Sequence, residues 1–187
     1  MGLFENIKNI GLLLDEEELL CQVAEECVEL VKAMEDLSSK GVVNGNGGAY
    51  LSEIEEEISD ILLVSNALLE KMILDKTTLN FFAKITFLAE ENLQKISISA
   101  QRSEVIKVTM DVAKLALKLR RAMTKKNYTP ISEESARLDL IYSMAVQNGM
   151  VHCMINRCNF KKTYDIQTEK SERWIRRLQG SDVNEQE

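Results

Sequence analysis

Two pairs of carboxylates are the side chains of this sequence that are best placed to do chemistry. Glu26 and Glu29 lie three residues apart in one predicted helix, and Glu57 and Asp60 lie three residues apart in the next. When the second helix is projected at about 100° per residue, Glu57 falls in the middle of its apolar stripe and Asp60 falls at the margin. That stripe consists of Ile54, Ile61, Val64, Leu68 and Met72. An ionised carboxylate buried without a partner is costly or takes up a proton, so we expect a compensating ligand.

The first helix places Glu26 at the edge of a second apolar stripe. This stripe consists of Leu19, Leu20, Val23, Cys27, Leu30 and Met34. Oxygen ligands that converge from two helices are those that Mg²⁺ or Mn²⁺ takes in proteins, with water and phosphate oxygens completing the coordination. The carboxylates therefore predict a magnesium site, with Mn²⁺ as a substitute. The alternative is a set of solvated helix faces. That interpretation suits Glu25, Glu55 and Glu56, but no rotation of the helix removes Glu57 from its stripe.

Other metal sites fit the sequence less well. A di-iron centre in a helical bundle needs a Glu-x-x-His motif on each of two helices, and the single histidine, His152, lies far along the chain from both pairs. No Asp-rich segment precedes a glycine at the spacing of an EF-hand calcium loop. The four cysteines show no zinc-ligand spacing, so we expect reduced, packed thiols. All-oxygen ligation favours magnesium and phosphate chemistry.

The composition is that of one helical domain. The 187 residues are 45% hydrophobic and include a single proline and few aromatic residues, which favours an all-α protein with a substantial core. The net charge of −7 argues against a nucleic acid as the partner, because a phosphate backbone needs a basic surface. The N-terminus lacks the pattern of a signal peptide, and no apolar run reaches the roughly 18 residues of a membrane span. We therefore expect a cytoplasmic protein with no membrane partner.

Six helices are predicted to position the carboxylates. They cover roughly residues 15–37, 51–74, 78–95, 103–125, 132–159 and 168–178, and a glycine-rich connection occupies residues 38–49. The expected fold is all-α, a multi-helix bundle built around two antiparallel helices that carry the carboxylates. A single domain is expected over residues 1–187, with a metal-binding hairpin at 1–75, supporting helices at 76–180 and a polar tail at 181–187.

The supporting helices can be read as a degenerate copy of the first hairpin. Residues 23–30 align without a gap with residues 108–115, and residues 55–61 align with residues 134–140. In this register the positions of Glu26, Glu29, Glu57 and Asp60 are taken by Asp111, Lys114, Ala136 and Asp139. Amphipathic helices resemble one another easily, so duplication and chance similarity both stay open. If the duplication is real, each chain holds one metal cluster, and a homodimer is allowed but not required to complete the core.

The carboxylate segments resemble those of the all-α nucleoside triphosphate pyrophosphatases, the superfamily of MazG-like proteins and dimeric dUTPases. The pattern of that superfamily is EExxE, then a spacer, then ExxD, and this chain carries EECVEL at residues 25–30 and EEISDIL at residues 56–62. The resemblance covers about residues 19–69, roughly a quarter of the chain. It implies a hydrolase of nucleotide pools that cleaves a nucleoside triphosphate between its α and β phosphates and releases pyrophosphate.

The resemblance also implies roles for single residues. Glu26, Glu29, Glu57 and Asp60 would hold the magnesium ions, which would neutralise the phosphates and lower the pKa of a bound water. Glu26 and Glu29 would be the catalytic carboxylates, one of which accepts the proton of that water. The glycine-rich connection lacks the Gly-Lys-Ser/Thr ending of a P-loop, so the phosphates need other partners.

Basic residues late in the chain are candidates for phosphate contacts. The segment NRCNFKK at residues 156–162 loosely resembles the Asn/Lys/Arg-bearing segment that follows the catalytic helices in MazG-like proteins. This implies Asn156, Arg157, Lys161 and Lys162 as substrate-binding residues. A basic helix C-terminus that complements its own dipole explains the segment equally well.

The expected partner is a nucleoside triphosphate. Tyr50, Phe81 and Trp174 are aromatic candidates for stacking on its base, although packing explains each of them as well. Two alternative functions stay open. One is a phosphoribosyl-ATP pyrophosphatase-like enzyme, for which a shorter chain is expected. The other is a non-catalytic helical protein that binds a nucleotide or a partner surface.

Overall fold

The chain forms a bundle of helices. The computed structural model describes residues 2–36, 47–73, 75–125, 131–155 and 160–180, and of residues 47–51, 155 and 160 it describes the backbone only. These ranges are 91% helical and contain seven helices and no strand, which confirms the predicted all-α fold. The helices are α1 (Leu3–Leu13), α2 (Glu16–Asp36), α3 (Gly47–Met72), α4 (Lys76–Gln94), α5 (Ile98–Met123), α6 (Glu133–Ile155) and α7 (Phe160–Leu178).

The two predicted apolar stripes form the centre of the core. Every member of the α2 and α3 stripes is no more than 5% exposed. Helix α2 packs against α3 and α5, α5 packs against α6, and α6 packs against α3, so these four helices close into a bundle. Helix α4 packs on α6, while α1 and α7 pack on α3 and on each other. Because each buried Leu or Ile contributes about 1.5–3 kcal/mol, this packing fixes which face of α2 and of α3 turns inward.

The first turn of α2 is held by polar contacts that set the position of the helix along its axis. The backbone N–H of Glu18 donates to Asp15 Oδ1 at 2.8 Å, and Glu18 Oε2 accepts from the backbone N–H of Asp15 at 2.8 Å. This reciprocal arrangement is a capping box. Arg120 of α5 lies 2.7 Å from Glu17, and Arg137 of α6 pairs with Glu16. These contacts therefore fix the axial position of Glu26, further along α2, relative to the rest of the bundle.

The described helices differ from the prediction mainly at their N-terminal ends. Helix α5 begins at Ile98, five residues before its predicted start at residue 103. Helix α1 was not predicted, although its buried Leu3, Ile7 and Ile10 recur at helical spacing. Helix α7 begins at Phe160 instead of residue 168. Its first half was not predicted, since its buried positions are the polar Thr163 and Gln167 and not large apolar residues. Helix α3 begins at Gly47, inside the predicted connection, of which residues 38–46 lie outside the described ranges. None of the described helices combines the length and apolar character needed to cross a bilayer.

Candidate metal centre and active site

The packing of α2 on α3 brings three of the four predicted carboxylates together. Glu26, Glu57 and Asp60 each contribute one oxygen to a cluster in which these oxygens lie within 4.8 Å of one another. All three side chains are half-buried. Glu29 is exposed, one turn further along α2, and its negative charge still acts on the other three carboxylates. The i, i+3 spacing predicted each pair, and the helix packing unites the pairs.

The cluster carries more negative charge than its surroundings stabilise. Burial, followed by repulsion from Asp60, Glu29 and Glu57, raises the pKa of Glu26 to about 8. Burial, followed by repulsion from Asp60 and Glu29, raises the pKa of Glu57 to about 7. Burial also raises the pKa of Asp60, although an ion pair with Lys170 opposes it. A cation placed among these oxygens would favour the ionised forms and lower all three pKa values.

Among the described residues, one oxygen of Glu26 and one of Glu57 lack a hydrogen-bond partner. Glu26 Oε2 and Glu57 Oε2 are buried and form no hydrogen bond within the described residues. Unpaired buried carboxylate oxygens are unfavourable, and a divalent cation would supply the missing interaction. Oxygens that ligate one octahedral Mg²⁺ at about 2.1 Å lie about 3.0 Å apart when adjacent and about 4.2 Å apart when opposite, so oxygens within 4.8 Å of one another would need to move closer by less than about 2 Å to share one ion. The all-carboxylate donor set therefore fits Mg²⁺, and Mn²⁺ takes the same ligands.

Lys170 of α7 is a site residue that the sequence analysis missed. Its ammonium donates to Asp60 Oδ2 and lies 3.1 Å from Glu56 Oε1, and its side chain is 17% exposed. Burial opposes the charged form, but the contacts with Asp60 and Glu56 prevail and raise the pKa of Lys170. Glu56, predicted to be solvated, is exposed but takes part in this ion pair. A signal was present, since Lys170, Arg173, Trp174 and Arg177 recur at i, i+3, i+4 and i+7 along one helix face.

A cavity of about 320 Å³ adjoins the cluster. Its acidic wall comes from α2 and α3 and consists of Glu26, Glu29, Glu56 and Asp60. Its basic wall comes from α7 and consists of Lys170, Arg173 and Arg177. Glu57 does not line the cavity, but it contributes one oxygen to the carboxylate cluster. Carboxylates that can hold a cation, facing three cationic side chains, form a site suited to a metal-bound polyphosphate.

Lys161 and Lys162, two of the four predicted substrate contacts, do not line this cavity. Lys162 donates to Glu55 and lies 3.1 Å from Ser52 Oγ, and Lys161 is exposed. The prediction that Glu55 is solvated is wrong, since this residue is only 6% exposed. It is covered because α7 packs on α3. Asn156 and Arg157 lie outside the described residues, so their role in substrate binding stays a prediction.

Of the aromatic candidates, Trp174 lines the cavity beside the carboxylates. Phe81 lies on α4 and contacts Tyr142 of α6, with ring centroids 6.4 Å apart. The side chain of Tyr50 lies outside the described part of the chain. Trp174 is therefore the aromatic residue that the fold brings to the site.

The second hairpin, α5 and α6, has different chemistry at the aligned positions. Lys114 pairs with Asp111 at 3.2 Å on the surface, and Asp139 lies 3.9 Å from Lys118. Ala136, aligned with Glu57, is fully buried. Within the described ranges, the acidic group with metal-binding proximity is the one on α2 and α3.

Comparison of the chain with known protein families, with curated proteins and with solved structures finds no match. The geometry of the carboxylate cluster and of its cavity therefore carries the functional argument.

Proposed function

We propose that this chain is a magnesium-dependent nucleoside triphosphate pyrophosphohydrolase, which converts a (d)NTP to a (d)NMP and pyrophosphate. The observation that carries the proposal is the cluster of Glu26, Glu57 and Asp60, with two buried oxygens unpaired among the described residues, beside a cavity that is also lined by basic side chains of α7. The resemblance of the EECVE and EISD segments to the pyrophosphatase motifs supports the same reaction class.

Each group of residues has a role in this reaction. Glu26, Glu57 and Asp60 would hold Mg²⁺, with Glu29 completing the set from the exposed side. Bound Mg²⁺ supplies neutralisation of the phosphate charge and a water molecule of lowered pKa. The cationic wall of α7 would contact the phosphate oxygens and hold the polyphosphate in place.

The chemical step requires a base for the attacking water. The water oxygen forms a bond to the α phosphorus, the bond from that phosphorus to the bridging oxygen breaks, and pyrophosphate leaves. Glu26 or Glu29 accepts the proton that the water loses. A carboxylate within hydrogen-bond reach of that water is needed, and the acidic wall of α2 offers these two.

Product analysis tests the proposal. The purified protein is incubated with Mg²⁺ and a panel of ribo- and deoxyribonucleoside triphosphates, with phosphoribosyl-ATP included, and the products are separated by anion-exchange chromatography. We expect nucleoside monophosphate and pyrophosphate in equal amounts. Release of orthophosphate and a nucleoside diphosphate would contradict the proposal, and so would the absence of any product across the panel.

One observation favours a second function, a non-catalytic helical protein. Lys170 already neutralises part of the charge on Asp60 and Glu56, as a lysine can do in a protein that holds no metal there. The same protein preparation separates the two functions. A non-catalytic protein would bind nucleotide without turnover, and its nucleotide affinity would not depend on Mg²⁺.

A further inference from the structure

A second cavity lies next to the first and has no role in the reaction described so far. Its volume is about 360 Å³, and Gln22 and Trp174 line both cavities. Gln22 of α2 and Trp174 of α7 therefore form the boundary at which the two cavities adjoin. Cys21, in the wall of the second cavity, precedes Glu26 by five residues, which is about 7.5 Å along the helix axis.

The second cavity has walls of a different chemical character. Leu14, Leu178 and the ring of Trp174 make part of it apolar. Its cation, Arg120, is engaged by Glu17, with Arg120 Nη2 2.7 Å from Glu17 Oε1. Its remaining charged residues, Asp15 and Glu18, are acidic and cap each other. Such walls repel phosphate but suit a neutral, planar ligand with hydrogen-bonding edges.

The size and position of the cavity match one part of a nucleotide. In the cleavage between α and β phosphates, the α phosphorus must lie at the carboxylate cluster, so the nucleoside must lie immediately beside it. The second cavity adjoins that place at Gln22 and Trp174 and is lined toward the start of α2 by Asp15 and toward the end of α7 by Leu178, whereas Lys170 lines only the first cavity. Its acidic rim offers acceptors for sugar hydroxyls, and the Gln22 amide offers both a donor and an acceptor to a base edge.

We propose that the second cavity is the nucleoside subsite, in which the base stacks on Trp174 while the phosphates extend past the carboxylates toward Lys170. This inference rests on the proposed function, because it uses that reaction to place the α phosphorus. It assigns roles to Trp174 and Gln22 that the metal centre alone does not require. Base–aromatic stacking tolerates every base, so the Trp174 contact itself supplies affinity and leaves selection to the polar rim.

The chain provides its own probe for this subsite. Trp174 is the single tryptophan of the sequence, so intrinsic tryptophan fluorescence reports on the junction of the two cavities. Two kinds of ligand probe the two cavities separately. Uncharged nucleosides carry no phosphate and probe the second cavity, and Mg²⁺–tripolyphosphate carries no base or sugar and probes the first. We expect nucleosides to change the fluorescence and to bind in addition to tripolyphosphate, not in competition with it.

Substitutions that fill the cavity test the assignment. Cys21→Phe projects a ring into it from α2, and Leu178→Phe does so from α7. Val28→Phe, on α2 at a position that is 52% exposed and outside both cavities, is the matched control. Each variant is first checked for an unchanged helical circular-dichroism spectrum and melting temperature. We expect both cavity variants to weaken nucleoside binding and to raise the KM for the triphosphate by about tenfold or more, the scale of a lost base stack. Tripolyphosphate affinity and the Val28→Phe variant should match the wild type.

The outcomes separate this inference from the proposed function. If the wild type hydrolyses a triphosphate and both cavity variants keep its KM and its nucleoside affinity, the subsite assignment is wrong and the proposed function stands. If the wild type releases no pyrophosphate but nucleosides bind at Trp174 and are lost in the cavity variants, the proposed function fails and the subsite stands. Nucleosides that leave Trp174 fluorescence unchanged overturn the assignment.

Discussion

Glu26 and Glu57 are the residues at which the unfavourable burial of charge in the site is concentrated. Each has one buried oxygen without a hydrogen-bond partner among the described residues, and each has a raised pKa. Lys170 relieves Asp60, the third member of the cluster, by a direct ion pair. A single lysine thus satisfies one carboxylate and leaves two for another cation. At the residue scale, the structure therefore predicts a measurable link between protonation, metal binding and stability.

The first prediction concerns pH. The pKa of Glu26 is raised from 4.5 to about 8 and that of Glu57 from 4.5 to about 7. Between about pH 4.5 and pH 8 the native state therefore binds more protons than the unfolded state. Without metal, the free energy of unfolding should fall as pH rises from about 4.5 to about 8. Because both side chains are part-exposed, solvent screening limits the loss to about 1–3 kcal/mol. Denaturant unfolding at several pH values measures it.

Saturating Mg²⁺ is the control for that experiment. The metal compensates the ionised carboxylates, so the fall in stability with pH should largely disappear when it is present. A stability that is flat between pH 5 and pH 8 without metal would contradict the raised pKa values.

The second prediction is that Glu57→Gln abolishes hydrolysis and leaves the fold intact. The amide keeps the shape but removes a ligand charge, so the loss of activity should exceed the roughly 10–100-fold cost of losing an outer-shell partner at a metal site. Without metal at pH 8, stability should be unchanged or higher by about 1 kcal/mol, since like-charge repulsion is relieved. The measurements are pyrophosphate release and chemical denaturation.

Glu53→Gln is the matched control for this variant. Glu53 lies one turn before Glu57 on the same helix and is exposed, so its amide variant should keep wild-type activity and metal affinity. Near-wild-type turnover by Glu57→Gln would remove Glu57 from the metal site.

At the scale of elements, α7 is docked largely by polar contacts. The buried positions along its inner face are Thr163, Gln167, Ser171 and Ile175, of which one is apolar. Ser171 Oγ accepts a hydrogen bond from Asn6 of α1 at 2.9 Å, and Lys170 reaches the carboxylates of α3. The basic wall of the cavity is therefore held in place partly by the site that it completes.

The third prediction follows from this coupling. Lys170→Met leaves Asp60 and Glu56 without their cation. The free energy of unfolding without metal at pH 7.5 should therefore fall by about 2 kcal/mol, less than the cost of breaking a fully buried ion pair because these side chains are partly exposed. Mg²⁺ should bind this variant more tightly than the wild type, because no ammonium competes for Asp60. Denaturation with and without Mg²⁺, together with calorimetric titration, measures both effects.

Lys107→Met serves as the control for Lys170→Met. Lys107 is a surface residue whose ammonium lies 3.9 Å from Glu104, so its loss should change neither quantity appreciably. Weaker metal binding by Lys170→Met would show that the lysine supports the metal site and does not compete with the metal.

The fourth prediction concerns the contact between α4 and α6. A Cβ added at Gly149 would lie 2.1 Å from the backbone oxygen of Thr86, so the two helices approach too closely for a larger residue. Gly149→Ala should therefore force the helices apart and lower the free energy of unfolding by about 1–3 kcal/mol, as overpacking does. Thermal unfolding measures the change. Gly2→Ala, which meets no atom within 4 Å, should have no such effect.

At the scale of the whole molecule, the four-helix core contains two hairpins of unequal chemistry. The α2–α3 hairpin carries the carboxylate cluster, whereas the aligned positions on α5 and α6 hold surface ion pairs and the buried Ala136. The second hairpin packs against the first within the same chain. One chain thus supplies both sides of the core that surrounds the site.

The fifth prediction is one metal cluster per chain. Equilibrium dialysis with Mn²⁺, or calorimetric titration with Mg²⁺, should saturate at a single class of sites that Glu57→Gln removes. The mass in solution, measured in parallel by light scattering, should not alter this number per chain. Two equivalent clusters in one chain would contradict the structural role given to α5 and α6.

The sequence by itself determined the helical fold, the inward faces of α2 and α3 and the residues of the carboxylate cluster. These features depend on local periodicity: apolar residues at helical spacing select a face, and a glutamate inside that face is visible without coordinates. Glu57 illustrates this, since its place in the α3 stripe follows from its neighbours in the sequence alone.

Only the tertiary structure decided which helix completes the site. Lys170, Arg173 and Trp174 lie more than a hundred residues from Glu57 in sequence. The packing of α7 on α1 and α3 brings these three side chains to the cavity. Its buried face is mostly polar, so no stripe of large apolar residues indicated the helices against which it docks. The same packing turned Glu55 from a predicted surface residue into a buried one. Contacts between distant, polar helix faces arise from the assembled core, and no local pattern encodes them.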